Sequence, residues 1–340
     1  MGDSAMIFSN SARAVGVTCL LLGFTLPTFG VSCKTQGAMT EAERAPIVQA
    51  ARQIALDVQG GRSADLKAAT VPAVAANFSS IAQSAAELTP LVSGATITVN
   101  AVYKLDASEA KPGDEQQQFF CDAGDNSSHV TFSIQHLPPG LFAFALMHAT
   151  GVSKPQQIAL LLQSLNAGGA WQLAGFFPKP LSVAGHDGLW YWKQARIYAQ
   201  KKQTWNAWFY YSTAISLLQP AGFFSSTNLE KLVDEQQATR PTDLPGATPL
   251  TINAEGTAYK ITSLRTDDEL GGLDLVAHYD SSSSDPVASR AHTIAVMHGL
   301  LTLHPELREA FHGLWVFADA GAGGQAFSLE QPMTELLPKT

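Results

Sequence analysis

Near residue 95 the hydrophobic pattern changes its period, and this change constrains the fold more than any single motif does. Upstream, Glu41 to Val58 carries a helical pattern that Gly60-Gly61 stops. Alanine-rich helical sequence continues through Ala64–Leu88, with a break near Pro72. Downstream, Ile97, Val99, Ala101, Tyr103 and Leu105 alternate with Thr96, Thr98, Asn100 and Lys104. Val130, Phe132, Ile134 and His136 alternate in the same way with Thr131, Ser133 and Gln135. Such alternation belongs to antiparallel strands with one face on a core. Leu141–Thr150 is apolar on both faces until His148, which marks a central strand. Ile158–Leu165 and Trp171–Phe177, joined by a turn at Asn166-Ala167-Gly168-Gly169, complete the set. The prediction is an α+β chain whose first domain, residues 40–180, sets helices against a curved antiparallel sheet.

Helices followed by a sheet that closes on Trp171-Gln172-Leu173-Ala174-Gly175-Phe176-Phe177 resemble the cone-shaped fold of the nuclear-transport-factor-like superfamily. That resemblance implies an open mouth, into which His136 and His148 would point as pocket candidates. A pocket histidine can act as a base or hold a polar ligand group. No carboxylate is placed beside either one by sequence, so neither is assigned a catalytic role.

The second segment, 186–240, is predicted to be helical. Ala195, Tyr198, Ala207, Tyr211 and Ala214 have the spacing of one tetratricopeptide repeat, which this stretch resembles. Tyr191 and Gln194 depart from the usual residues of that motif, and Asn228–Gln237 adds a third helix. Between Trp190 and Tyr211 the chain concentrates nine aromatic side chains. Trp205, Trp208 and Phe209 lie away from the motif face, so the second helix is apolar on several sides. Such a helix is either buried between layers or offers an aromatic shelf to a partner. These three residues are the candidate partner-binding set.

After the Pro241–Pro249 linker, residues 247–335 read as a ββαββ domain. Its strands fall near Ala258–Arg265, Leu273–Tyr279, Leu314–Ala318 and Ala326–Gln331. Asp285-Pro286 is an N-cap followed by a first-turn proline, opening a helix that ends near Leu303. A helical crossover of this length suits parallel neighbours.

Composition narrows the function. The 340 residues carry 21 basic and 29 acidic side chains, a formal charge of −8, which excludes a phosphate-backbone binder; no nucleic-acid partner is expected. Three cysteines exclude a disulfide scaffold. The uncharged run Ala14–Phe29 follows Arg13 and falls short of a membrane span, which takes about 20 residues. With the small residues Gly30 and Ser32 it has the layout of a signal peptide over 1–32. Gly30-Val31-Ser32-Cys33 resembles the lipobox of bacterial lipoproteins, which implies lipidation at Cys33, a membrane anchor and a place in the cell envelope. Ordinary cleavage near Gly30, giving a secreted protein, and an uncleaved anchor are the other outcomes. On the lipobox reading Cys121 stands alone as a small buried hydrophobe.

Other chemistry finds little support. His292, His298, His304 and His312 lack the i,i+4 spacing of a helical metal pair, so no metal site is expected. Asp122, Asp125 and Asn126 have calcium-loop composition without a closing acid. Gly321-Ala322-Gly323-Gly324 precedes a strand rather than a helix, and so lacks the helix N-terminus that binds phosphate. No cofactor is implied. The sequence therefore points to an envelope binding or assembly protein with a protein or peptide partner. The alternative is an enzyme or small-ligand binder that uses the first domain.

Overall fold

Thr40 opens the first helix with a capping box: its hydroxyl accepts the Glu43 amide, and the Glu43 carboxylate accepts the Thr40 amide at 3.0 Å. The computed structural model describes residues 31–111, 113, 115–122, 128–165, 169–281, 283, 285–320 and 327–336. The leader Ala14–Phe29, the turn at 166–168, Asp125, Asn126 and Gly321–Gly324 lie outside them.

The first core is built from β1 (Ser32–Thr35), α1 (Glu41–Gln59), α2 (Ser63–Ala68), α3 (Pro72–Ala75), α4 (Ser79–Val92), β2 (Thr96–Asp106), β3 (Gln116–Asp122), β4 (His129–Gln135), β5 (Leu141–Thr150), β6 (Gln156–Ser164) and β7 (Trp171–Pro180). One antiparallel sheet runs β1-β2-β5-β6-β7. Its two faces carry separate clusters. Ala143, Ala145, Met147, Ile158 and Leu160 pack with Ile47, Ile54, Ile81 and Leu88 of the helices. Phe142, Phe144 and Leu161 pack with Phe119, Phe132 and Ile134 of a smaller sheet. Both faces of β5 are therefore buried, as its unbroken apolar run requires.

The chain then crosses a short hairpin, β8 (Ser182–Val183) with β9 (His186–Asp187), into α5 (Gly188–Gln200), α6 (Thr204–Leu218), β10 (Phe224–Ser226) and α7 (Thr227–Ala238). Asp187 caps α5 through the Trp190 amide, and Ser226 caps α7 through the Leu229 amide. Strand β10 returns to the first core: Phe224 pairs with Phe132, completing the small sheet β10-β4-β3. Its ring stacks on Phe144 at 5.8 Å. Lys179 of β7 meets the end of α6, donating to the Ser216 and Gln219 carbonyls at 2.9 and 2.6 Å, where a cation suits a helix C-terminus.

The last sheet runs β11 (Leu250–Ala254), β12 (Thr257–Asp267), β13 (Asp274–Ser281), β14 (Gly313–Ala320) and β15 (Phe327–Pro332), with α8 (Pro286–Leu303) and α9 (Leu307–Ala310) between β13 and β14. Strands β13 and β14 are parallel and the other pairs antiparallel. Asp285 caps α8 through the Val287 and Ala288 amides. The α+β class is as the sequence predicts, but β1, β10 and β11 are strands that the periodicity does not mark. The helical hairpin and this sheet share one core, in which Tyr191, Trp205, Phe209 and Tyr210 join Leu275, Tyr279, Leu300 and Phe311. Segments 186–240 and 247–335 thus pack as one body, although a proline-rich linker separates them in sequence.

Cys33 and Cys121 form a disulfide. A sulfur in a disulfide has no valence left for a thioether lipid, so this pairing and lipidation at Cys33 exclude each other, and Cys121 is paired rather than solitary. Val31 and Ser32, which lipobox cleavage would remove, are also used: Ser32 pairs with Asp106 and Val31 packs on the second cluster.

Candidate functional site

The sequence candidates separate on burial. Trp205 is 2% exposed and Phe209 3%. The Trp205 indole N–H donates to Asp243 Oδ1 at 2.9 Å, and its ring stacks on His304 at 3.9 Å. Phe209 meets Phe311 edge-on at 6.1 Å. Helix α6 is apolar on several sides because α5 and α7 cover one side while α9 and the last sheet cover another. Asn206 donates to the Glu306 carbonyl at 2.7 Å and Tyr210 to the Ala310 carbonyl at 2.5 Å, fixing α6 to the α9 segment. Burial pushes the Tyr210 hydroxyl far above its ordinary pKa, as expected of a neutral donor in a core. Two of the three proposed partner-binding aromatics are therefore core.

His136 lies outside the alternation expected to turn it inward. It stands just beyond β4, exposed in a turn with φ of 52°, so the alternation ends at Gln135 before reaching it. His148 is half-buried on β5, where burial lowers its pKa, and it belongs to a different sheet. The face on which a mouth was expected is filled by Phe119, Phe132, Phe142 and Phe144.

Trp208 is the aromatic candidate that keeps an open side. It lines a cleft of about 490 Å³ between α6 and the end of β12, opposite Leu264 and Thr266, with Ser212, Thr213 and Ser216 along the helix wall. The helix and strand are joined here by Thr213 and Thr266, whose hydroxyls lie 3.0 Å apart. Arg265, Asp267, Asp268 and Glu269 form the rim. Burial alone would raise the Asp267 carboxyl, but its ion pair with Arg265 and the Glu269 amide hold it below the usual range. Asp268 accepts the Ala184 amide at 3.1 Å, while Glu269 is exposed. With three carboxylates against one guanidinium, the rim favours cations. From α7's side, the Arg240 guanidinium already lies 5.4 Å from the Trp208 ring centre. The lining contains no histidine or cysteine.

A second groove of about 430 Å³ lies in the first core between the end of α1, α2 and α4. Leu66, Ala82, Ala85 and Pro90 give it apolar walls, and Arg62 at its edge is engaged by Asp57 at 2.8 Å.

Trp208 is among the residues that the sequence singles out, whereas its acidic neighbours are not. The run Asp267-Asp268-Glu269 directly after a predicted strand was the available signal. No protein-family model matches this chain, nor does any curated protein or solved structure match it.

Proposed function

We infer that this chain is an exported binding protein that holds a basic polypeptide segment in the cleft beside Trp208. The observation that carries the reading is the cleft itself: a half-buried tryptophan, a wall of hydroxyls and an acid-rich rim set between two elements that share one core. Tryptophan contributes large contact area at binding hot spots, and a rim of one charge sign selects partners of the other. Export is supported by the charge-free leader and by a disulfide, which persists in oxidising compartments. With Cys33 in that disulfide, cleavage near Gly30 is the processing that suits the chain. Among the described residues no helix is long and apolar enough to cross a membrane.

Fluorescence anisotropy with dye-labelled lysine-rich, neutral and glutamate-rich peptides tests the reading. The lysine-rich peptide should saturate, weaken with salt, and lose about tenfold or more in affinity in Trp208→Ala. Equal binding of all three peptides, or an unchanged affinity in Trp208→Ala, would remove the cleft from the function.

The groove between α1, α2 and α4 favours a second reading, an apolar small molecule held in the first domain. Displacement of a bound apolar dye from wild type but not from Ala85→Trp would support it.

A further inference from the structure

At one end of the last sheet three strands bring together residues that are far apart in sequence. Asp274 begins β13, His312 immediately precedes β14, and Glu330 lies on β15. The parallel register of β13 with β14, Leu275 opposite Leu314, places Asp274 beside Gly313. In the antiparallel pair, Glu330 lies opposite Trp315. One ligand atom from each of Asp274, His312 and Glu330 lies within 4.8 Å of the other two.

Two features set this cluster apart from a chance group of acids. Asp274 is 1% exposed; its Oδ1 meets His312 Nδ1 at 3.0 Å, but its Oδ2 is buried with no hydrogen-bond partner. Glu330 Oε1 is buried and unpartnered as well. Leaving carboxylate oxygens in this condition costs several kcal/mol unless something compensates them. The backbone is also cut away around them. A Cβ on Gly313 would sit 2.8 Å from Glu330 Oε1 and 2.9 Å from Asp274 Oδ1, and one on Gly272 would collide with the His312 ring at 2.4 Å. The two glycines hold open the space in which the three side chains converge.

We propose that Asp274, His312 and Glu330 form a binding site for one divalent transition-metal ion. One imidazole and two carboxylates make a mixed nitrogen and oxygen donor set, which suits Zn²⁺ or Mn²⁺ better than Ca²⁺ or Mg²⁺. The ion supplies the positive charge that the two orphaned oxygens lack. The His312 side chain is 47% exposed, so the ion reaches the site from solvent and keeps a coordination position open to water. Glu330, with three rotatable bonds, and His312, at the surface, can contract onto the ion without movement of the strands. His278 lies on the same sheet but is held by Asp319 at 3.1 Å and stacked on Phe317, and it takes no part.

Isothermal titration of the untagged, disulfide-bonded chain with ZnCl₂, and separately with MgCl₂, tests the site. Wild type and His278→Ala should bind one Zn²⁺ per chain with little response to Mg²⁺. His312→Ala and Glu330→Gln should each weaken Zn²⁺ binding at least about tenfold while retaining the wild-type circular dichroism. Glu330→Gln conserves shape and carries the test if His312→Ala does not fold. Absence of saturable Zn²⁺ binding in wild type, or affinity unchanged in Glu330→Gln, overturns the proposal. Trp208→Ala should leave Zn²⁺ binding intact, so this site and the peptide cleft stand or fall separately.

Discussion

Cys33 and Cys121, 88 residues apart in the chain, are joined across two sheets. Strand β1 is an edge of the larger sheet and β3 an edge of the smaller one, so the bond ties the open sides of two layers together. Their Cα atoms lie 5.1 Å apart, within the ordinary range for a disulfide.

Closing a loop of this length restricts the unfolded chain, which gives the first prediction. Reduction, or Cys33→Ala with Cys121→Ala, should lower unfolding free energy by about 2–5 kcal/mol in urea titrations. Intact mass of the exported chain should show no acyl addition and should rise by two hydrogens on reduction. A fatty-acyl mass on Cys33 would contradict the pairing.

Trp205 and Trp208, three residues apart on α6, should respond oppositely to truncation. Trp205→Ala removes a ring stacked on His304 and bonded to Asp243, and should cost about 3–5 kcal/mol of stability. Trp208→Ala, at the cleft, should cost about 1 kcal/mol or less and act on binding instead. Thermal and urea unfolding of the two variants distinguish them.

Glu43 gives the fold a pH dependence. The Thr40 amide, Lys104 and Lys34 hold its carboxyl at about 2, below the ordinary 4.5. A depressed folded-state pKa makes the stabilising contribution complete above about 4.5 and removes it as pH falls toward 2. The difference in unfolding midpoint between wild type and Glu43→Gln should therefore stay constant from pH 7 to 5 and shrink below that. A gap independent of pH down to 2 would exclude the linkage.

Local signals were legible where one element carries them. The capped start at Asp285-Pro286 yields α8 with the expected bounds, the two-residue alternation yields β2 and β4, and the unbroken apolar run yields β5. What sequence alone could not supply were pairings between distant segments. Strand β10 is three residues long and exists because Phe224 finds Phe132, far upstream. His136 continues the alternation of β4 in sequence, yet the chain turns at that residue. Spacing along the chain gives His312 no ligand partner; the sheet register brings it to Asp274 and Glu330. The same limit hides the pairing of Cys33, whose partner Cys121 lies in another sheet.

The measurement that bears most directly on the proposed function is site-specific photocrosslinking from Ser216, on the wall of the cleft, in the native exported compartment. A crosslinker at Lys260, an exposed residue of β12 outside the cleft lining, serves as control. The account predicts a discrete polypeptide adduct from Ser216 that is absent from Lys260, is lost in Trp208→Ala and maps to a basic segment. Adducts identical at both positions, or an adduct that persists in Trp208→Ala, would contradict it.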